Sequence, residues 1–203
     1  MLWHPELEKP TRYRLFTMKI GILAVGEIAP EVLVGVQQGL VKTFPDTACT
    51  IIKKVLPVPK QAFDKKRNQY SSSVILNEVR VYASQSEMFQ VVLGVVDVDI
   101  FVPELNYVFG EAYTPGRAAL ISLWRLKPQF YGESVGSAVF ELRALKEAIH
   151  ELGHTLGMQH CPRSLCVMHF SNSIFDTDKK QSLLCDQCYL EAALAINNLG
   201  KQP

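Results

Sequence analysis

The stretch HELGHTLGMQH, residues 150–160, has the spacing H-E-x-x-H-x-x-G-x-x-H. On an α-helix, His150 and His154 lie about 40° apart around the axis and one turn apart along it, so both imidazoles project from one face. That geometry suits two nitrogen ligands of a single zinc ion. Glu151, about 100° round from His150, can reach a water on such an ion. The spacing therefore predicts a zinc-binding helix that carries its own general base.

The third histidine of the stretch lies beyond the expected end of this helix. A continued helix would point His160 away from the other two, so the chain must turn, and Gly157 is the residue that permits the turn. His160 then completes a set of three protein ligands and leaves a fourth position for water, as in catalytic zinc sites. An amphipathic helix with exposed histidines is disfavoured, because three of the five histidines in the chain fall within this stretch.

Four cysteines follow the histidines. Cys161 comes directly after the third histidine, Cys166 follows it, and Cys185 and Cys188 form a C-x-x-C pair. Four thiolates can hold a second, tetrahedral zinc ion, and such an ion would order a segment that has little regular pattern before residue 186. Two disulfides are disfavoured because the chain shows no secretory signal. A redox C-x-x-C is also possible, but the β-α-β context of that motif is absent here.

With Met168 added, these motifs resemble those of the archaemetzincins, a branch of the metzincin metallopeptidases. The family hallmark is the long histidine motif, an immediate cysteine, C-x4-C-x-M and a later C-x-x-C, and the run 97–122 with LNYVFG at 105–110 is also similar. The resemblance assigns the four cysteines to a structural zinc. It also implies that Met168 lies in a tight turn beneath the zinc-bound histidines, although ordinary core packing would look nearly the same. Finally, it implies an antiparallel edge strand at about 107–113 that pairs with extended substrate.

Upstream of the histidines, the apolar pattern predicts an α/β fold. Strands are expected at 18–25, 49–55, 90–98, 107–113 and 118–123, and helices from Pro30, from 72 to 83, from Ser137 and from 189 to 197. The first β-α-β unit favours parallel pairing, whereas Thr114-Pro115-Gly116 signals a turn between two antiparallel strands. The expected fold is a metzincin-like single domain. It has a mixed, mostly parallel twisted sheet, one antiparallel edge strand, an active-site helix and a zinc-stapled C-terminal segment.

The helix that carries the histidines is expected to begin with Ser137 as its N-cap. Its predicted core face comprises Ala138, Leu142, Leu145, Ile149, Leu152 and Leu156. The histidines would then occupy a neighbouring stripe, between the core and a cleft, where a ligand is both rigid and accessible.

Length and charge limit the function classes. A chain of 203 residues fits one domain with a sizeable core, and residues 1–17, including His4, are expected to be a loosely held extension of a catalytic domain at 18–203. The net charge of +1 offers no case for nucleic acid or an anionic membrane as partner. The short basic cluster Lys65-Lys66-Arg67 is interpreted as solvated surface. No apolar run has the length of a bilayer span or a signal-peptide core, so the expected location is cytoplasmic.

These observations predict a zinc metallopeptidase that hydrolyses peptide bonds in a peptide or protein substrate. A zinc-activated water would attack the carbonyl with Glu151 as general base, and two zinc ions, one catalytic and one structural, would be bound. One alternative is a hydrolase of non-peptide amides. Another is a non-catalytic zinc module whose cysteine site serves a partner interface, but an ion bound only for structure needs no general base.

Two further sets of side chains are open to a catalytic interpretation. Tyr113, Tyr131 and Tyr189 are candidates for a hydrogen bond to the transition state, and the sequence does not choose among them. Asp97 and Asp99 end a predicted strand. They are interpreted as polar residues that bind loop amides rather than as a pair of catalytic carboxylates.

Overall fold

The computed structural model describes residues 16–134 and 136–201, so nearly all of the predicted extension, with His4, lies outside the described residues. The α-helices are α1 (Pro30–Thr43), α2 (Ser72–Ser84), α3 (Ser137–Thr155), α4 (Ile174–Lys179) and α5 (Asp186–Leu199), and the strands are β1 (Met18–Val25), β2 (Thr47–Leu56), β3 (Phe63–Asp64), β4 (Gln69–Ser71), β5 (Val91–Val96), β6 (Ile100–Phe101), β7 (Gly110–Ala112) and β8 (Ala118–Ser122). Every predicted helix and strand is present. Within the described ranges, no helix is both long and apolar enough to cross a membrane.

The main sheet has five strands in the order β2-β1-β5-β8-β7. Parallel pairing joins β1 to β2, β1 to β5 and β5 to β8, whereas β7 runs antiparallel to β8 with Gly110 opposite Ile121. The mostly parallel sheet with one antiparallel edge strand is therefore confirmed. That edge strand is shorter than predicted, because only residues 110–112 pair. A second, small sheet in the order β3-β4-β6 was not predicted.

Helices cover both faces of the main sheet. All residues of β5 and β8 are buried, which explains their continuous apolar runs. One core cluster packs α1 and α3 against alternate residues of β1 and β5, and a second packs α2 against the intervening residues, such as Leu23 and Val92. The pleat sends successive side chains to opposite faces. Helix α3 is thereby fixed on the sheet, with its C-terminal turns next to β7.

The predicted core face of α3 is only partly correct. Ile149 and Leu152 are buried, but Ala138 is exposed and 43% of the Leu142 surface is accessible. On its other positions the helix buries Arg143, Lys146 and Glu147, polar residues that the apolar pattern did not mark. Its first residue is Ser137, and the N-cap position belongs to Gly136. The prediction failed because the spacing of apolar residues reveals only the helix face that packs on apolar groups. A helix face that is buried through polar contacts leaves no such pattern.

A polar seam between α3 and α4 accounts for this burial; its residues are Arg143, Lys146, Glu147, Thr177, Asp178 and Lys180. Arg143 binds the Asp178 carboxylate through two bonds of 2.8 and 2.6 Å. The Lys146 ammonium donates to the carbonyls of Thr177 and Asp178 at 2.8 and 3.0 Å. Buried charges persist only when they are paired and hydrogen-bonded. The seam therefore holds α4 and the chain before it against the active-site helix.

Helix α4 was not predicted, although a local signal exists. Ser173 and Asp176 form a capping box in which each side chain binds the backbone of the other. The S-x-x-D spacing is visible in the sequence, but the helix has only six residues and shows no clear apolar period. The segment after Gly157 is thus more ordered than the sequence indicated.

Among the described residues, Asp97 and Asp99 are bound by side chains rather than by loop amides, so that part of the interpretation is wrong. Asp99 receives two bonds from the Arg125 guanidinium at 2.6 and 2.7 Å, and Asp97 pairs with Lys127 at 2.5 Å. Arg125 belongs to a short helical turn that follows β8, and Lys127 lies between that turn and the next. The two carboxylates therefore fix this connection at the end of the sheet.

We expect Arg143→Met to lower the free energy of unfolding by about 3 kcal/mol. This is the low end of the range for a broken buried pair, because the Asp178 side chain is 38% exposed. Urea unfolding of the zinc-loaded protein measures the change. The control is Arg80→Met, which removes an exposed arginine of α2 and should change stability by less than about 0.5 kcal/mol. Equal losses in the two variants would contradict a stabilising role for the seam.

Candidate active site

The turn after α3 brings the three histidines together. Helix α3 ends at Thr155, and Gly157 takes a φ of +86°, which a residue with a side chain adopts only with strain. His160 then folds back over the helix. Its ring centroid lies 5.2 Å from that of His150 and 4.9 Å from that of His154. The predicted turn at Gly157 is confirmed.

The three imidazoles are arranged as a metal-binding group. Their ligand atoms lie within 4.8 Å of one another. The Nδ1 atoms of His150 and His154 donate to the carbonyls of Val167 and Met158 at 2.9 and 2.8 Å. These bonds select the tautomer that leaves each Nε2 lone pair free. The two Nε2 atoms are 3.2 Å apart, close to the separation of about 3.3 Å that tetrahedral zinc with its usual Zn–N bonds requires.

The electrostatics of this group also suit a metal ion. Burial lowers the pKa of all three imidazoles, and the charge of Lys180 lowers them further. Imidazoles held neutral are the form that coordinates zinc. The donor set thus fits a divalent metal ion with nitrogen preference.

Met168 lies directly below the histidine-bearing turn of α3. It is fully buried, and its sulfur occupies the space that a Cβ on Gly153 would need. The His169 amide donates to the Cys166 carbonyl at 2.9 Å, which closes a tight turn that contains Met168, and the Met168 carbonyl accepts from the Cys161 amide at 2.9 Å. His169 faces elsewhere, with its Nδ1 bonded to the Cys161 carbonyl at 2.8 Å. The methionine therefore packs against the turn of α3 that carries the two helical histidines.

Glu151 stands between the histidines and the edge strand. The residue is 6% exposed. Burial raises the pKa of its carboxyl well above the ordinary value, and the nearby charge of Glu147 raises it further. A Cβ added to Gly110 of β7 would lie 2.7 Å from Glu151 Oε1 and 2.7 Å from the Leu120 carbonyl oxygen. The glycine on the edge strand thus makes room for this carboxyl group.

These groups open into a cavity of about 410 Å³. One wall is the segment 105–112, which includes β7, another is the segment 170–172, and α3 contributes the histidines, Glu147 and Glu151. The ring of Phe170 packs against His160 with centroids 5.1 Å apart. A cavity with a convergent histidine cluster and a buried carboxyl group is the arrangement expected of a hydrolytic active site.

The three tyrosines proposed from the sequence lie outside this cavity as the structure describes it. Tyr131 donates to the Arg125 carbonyl at 2.8 Å, and burial raises its pKa to about 12. Tyr113 and Tyr189 are exposed elsewhere. The tyrosine in the cavity wall is Tyr107. Sequence reasoning named it only as part of the family-like run 105–110, and no spacing rule links it to the histidines.

The four cysteines form a second group. Their sulfur atoms lie within 4.8 Å of one another. Cys161 and Cys185 Sγ are 3.9 Å apart, which excludes a disulfide bond of about 2.05 Å and is close to the separation of about 3.8 Å between two thiolates on one zinc. Cys185 and Cys188 lie at the start of α5, and the Cys185 amide donates to Cys166 Sγ at 3.5 Å. The group therefore joins the turn after the histidines to the last helix.

The pKa of Cys185 favours a thiolate. Burial raises it, but hydrogen bonds from the Cys188 backbone amide and from the Arg163 and Cys166 side chains outweigh burial and bring it to about 6. Burial raises the pKa values of Cys166 and Cys188. A cluster of buried thiols with one ready thiolate suits a soft divalent metal such as zinc.

The chain matches a family model described as Peptidase family M54 over residues 41–193. It is 43% identical over 171 residues to the archaemetzincin of Methanocaldococcus jannaschii, covering 84% of this chain and 90% of that protein. It is 41% identical over 170 residues to the archaemetzincin of Pyrococcus abyssi, covering 82% and 90%.

Solved structures agree. The crystal structure of archaemetzincin from Methanopyrus kandleri superposes with a TM-score of 0.76 at 30% identity, covering 91% of this chain and 96% of that one. The archaemetzincin of Archaeoglobus fulgidus, complexed with malonate, superposes with a TM-score of 0.72 at 32% identity, covering 86% and 99%. These matches confirm the expected metzincin-like fold. By its sequence and by its fold, the chain belongs to peptidase family M54, the archaemetzincins, a family of zinc metallopeptidases.

Proposed function

We propose that this peptidase cleaves peptide bonds at the histidine cluster, with His150, His154 and His160 as ligands of a catalytic zinc and Glu151 as the general base. The observation that carries the proposal is the convergence of three imidazoles and one buried carboxyl group on a single cavity. A zinc ion held there supplies Lewis-acid polarisation of the attacking water and of the substrate carbonyl.

The proton movements fall to Glu151. Its carboxylate accepts the proton of the attacking water as the oxygen adds to the carbonyl carbon, and the same carboxyl group then delivers that proton to the amine as the C–N bond breaks. A raised pKa makes the carboxylate a stronger base than an exposed glutamate. Meanwhile the carbonyls of Val167 and Met158 keep the imidazoles of His150 and His154 oriented.

Gly110 is proposed to position this base. The space that its missing side chain leaves is filled by the carboxyl end of Glu151. Because Gly110 also pairs with Ile121 in the antiparallel ladder, it cannot move away without breaking sheet bonds. The edge strand thereby fixes the carboxyl group relative to the cavity.

We further propose that an extended peptide lies along β7. This strand is the last of the sheet order and contributes residues 110–112 to the cavity wall. Its outer edge can therefore accept another strand by main-chain hydrogen bonds. The net charge still argues against nucleic acid or a membrane as partner, and that expectation and the cytoplasmic location stay predictions.

The second proposed ion is structural and bound by Cys161, Cys166, Cys185 and Cys188. All four belong to segments that surround the tight turn under the histidines or start α5. Zinc binding at such a site contributes directly to folding. Two zinc ions per chain follow from two separate donor sets.

We propose the domain boundary at Met18. The first strand begins there and pairs at once with Thr47. Residues 1–17 would then be an extension, and 18–203 the catalytic domain with its cysteine site.

The decisive test uses a peptide library digested by the wild-type protein and by Glu151→Gln, with products identified by mass spectrometry. The variant should retain zinc and lose at least about 100-fold in rate, since general acid–base assistance contributes about 100- to 10,000-fold. A chelator should abolish cleavage by the wild type. A zinc-loaded variant with near-normal turnover would show that another group is the base.

Separate roles for the two metal sites predict different losses. Wild-type protein should contain close to two zinc ions per chain by elemental analysis. We expect Cys185→Ala to lower the melting temperature strongly, because the structural ion is lost. His154→Ala should mainly remove activity. Similar thermal losses in both variants, or one zinc per chain in stable wild-type protein, would contradict the assignment.

The positioning role of Gly110 predicts that Gly110→Ala is impaired while its zinc is retained. The added methyl group must displace Glu151 or the Leu120 carbonyl of the neighbouring strand, and a displacement of about 1 Å can cost on the order of 100-fold in rate. Gly35→Ala is the matched control, because a Cβ there meets no atom within 4 Å. Normal turnover by Gly110→Ala would show that Glu151 is not held in place by this strand.

A further inference from the structure

Tyr107 projects from the cavity wall opposite the segment 170–172. Its hydroxyl donates to the Asn172 carbonyl at 3.1 Å, which joins two walls that are 65 residues apart in sequence. The side chain is only partly buried. The cavity that contains the histidines therefore also contains a phenolic O–H, and this O–H is bound to a single acceptor.

The loop that carries Tyr107 is held by long side chains from another part of the fold. Arg67 donates to the carbonyls of Leu105 and Asn106 at 2.6 and 3.2 Å. Gln69 donates to the Asn106 carbonyl at 3.0 Å. The two carbonyls directly before Tyr107 are thus both bound. Arg67, which the sequence suggested to be solvated surface, serves to fix this loop.

The ring itself is also held. The guanidinium of Arg125 lies 4.2 Å from the Tyr107 ring centroid, and the Phe109 ring meets it edge-on at 5.4 Å. Arg125 is in turn fixed by its two bonds to Asp99. Cation–aromatic stacking of this kind restricts the ring without using its hydroxyl. The strand-end carboxylate Asp99 therefore supports Tyr107 rather than forming a catalytic pair.

This support is more than a surface loop needs. Loops are usually mobile, and side chains that must act on a substrate are the ones held by packing and hydrogen bonds. The bond to Asn172 alone does not require it, because this hydrogen bond is exposed to solvent. A hydroxyl that stabilises a developing charge in an active site must be held in position before the reaction begins.

Other donors in the cavity are poorer candidates. Neither lysine nor arginine is among the cavity residues that the structure describes. Ser171 lines the wall, but its hydroxyl is shielded from solvent and has no hydrogen-bond partner among the described residues. Asn106 and Asn172 have exposed side chains without the support given to the Tyr107 ring.

We propose that Tyr107 is a catalytic residue whose hydroxyl leaves the Asn172 carbonyl and donates to the oxygen of the scissile carbonyl as that oxygen becomes negative. This inference rests on the proposed peptidase function. The Tyr107 O–H bond stays intact: water adds to the carbonyl carbon, the C–N bond breaks, and the proton travels through Glu151 to the amine. The exchange is favourable because a hydrogen bond to an anionic oxygen is stronger than one to a neutral carbonyl.

The test compares Tyr107→Phe with the wild-type holoenzyme on a peptide identified in the library digest. Loss of one oxyanion donor should lower kcat by about 100- to 1,000-fold, with KM changed only a few-fold and zinc content unchanged. The variant keeps the ring, so the stacking on Arg125 and the melting temperature should persist. Tyr82→Phe is the control, because that tyrosine lies on α2 and outside the cavity, and it should retain normal kcat.

A second measurement separates catalysis from a structural strap. A phosphinic peptide analogue imitates the tetrahedral oxyanion, so its affinity for Tyr107→Phe should fall in parallel with kcat/KM. The proposal would be overturned if zinc-loaded Tyr107→Phe had an unchanged kcat, a change in KM alone, or the same affinity for the analogue as the wild type. These outcomes would count equally if the variant were less stable than the wild type. Absence of cleavage by the wild type would instead count against the proposed peptidase function, and the analogue affinity would still decide the role of Tyr107.

Discussion

Helix α3 must bury itself against the sheet and still present two imidazoles to a cavity, and the rest of the structure depends on how this constraint is met. Ile149 and Leu152 face the core. The intervening positions carry His150 and Glu151, which are nearly as buried but face the opening beside β7. Rigid packing on one side is what makes the ligand geometry on the other side fixed.

The long segment after α3 has little regular structure of its own, and three sets of contacts hold it in place. The tight turn places Met168 under Gly153, the polar seam fastens α4 to α3, and the cysteine cluster joins both to α5. Each set of contacts acts on a different part of the segment. Together they allow irregular chain to form one wall of an active site, which usually requires a rigid scaffold.

The cavity therefore has one wall from regular structure and one from irregular structure. Strand β7 is part of the sheet and brings Gly110 against the Glu151 carboxyl group. The segment 170–172 depends on the seam and on the turn. A hydrogen bond from Tyr107 to the Asn172 carbonyl links the two walls. In the proposed mechanism, the Tyr107 hydroxyl exchanges this bond for one to the oxygen of the scissile carbonyl.

The sequence by itself predicted the spacing of the candidate metal ligands, the succession of the main strands along the chain and the turn at Gly157. These follow from local rules, because helix spacing, strand length and glycine conformation depend on residues a few positions apart. It also indicated the family, since the spacing of the histidines and cysteines is specific. The apolar pattern placed Ile149 and Leu152 correctly for the same local reason.

Only the tertiary structure showed that Arg143 is buried, that the absence of a side chain at Gly110 makes room for Glu151, and that the Tyr107 ring is held in place. Each depends on partners distant in the chain: Arg143 on Asp178, Gly110 on Glu151, and Tyr107 on Arg125. A periodic pattern records which face is apolar, but it does not record which remote carboxylate or guanidinium will meet a polar side chain. That information exists only once the chain has folded, because it is a property of pairs that the fold brings together.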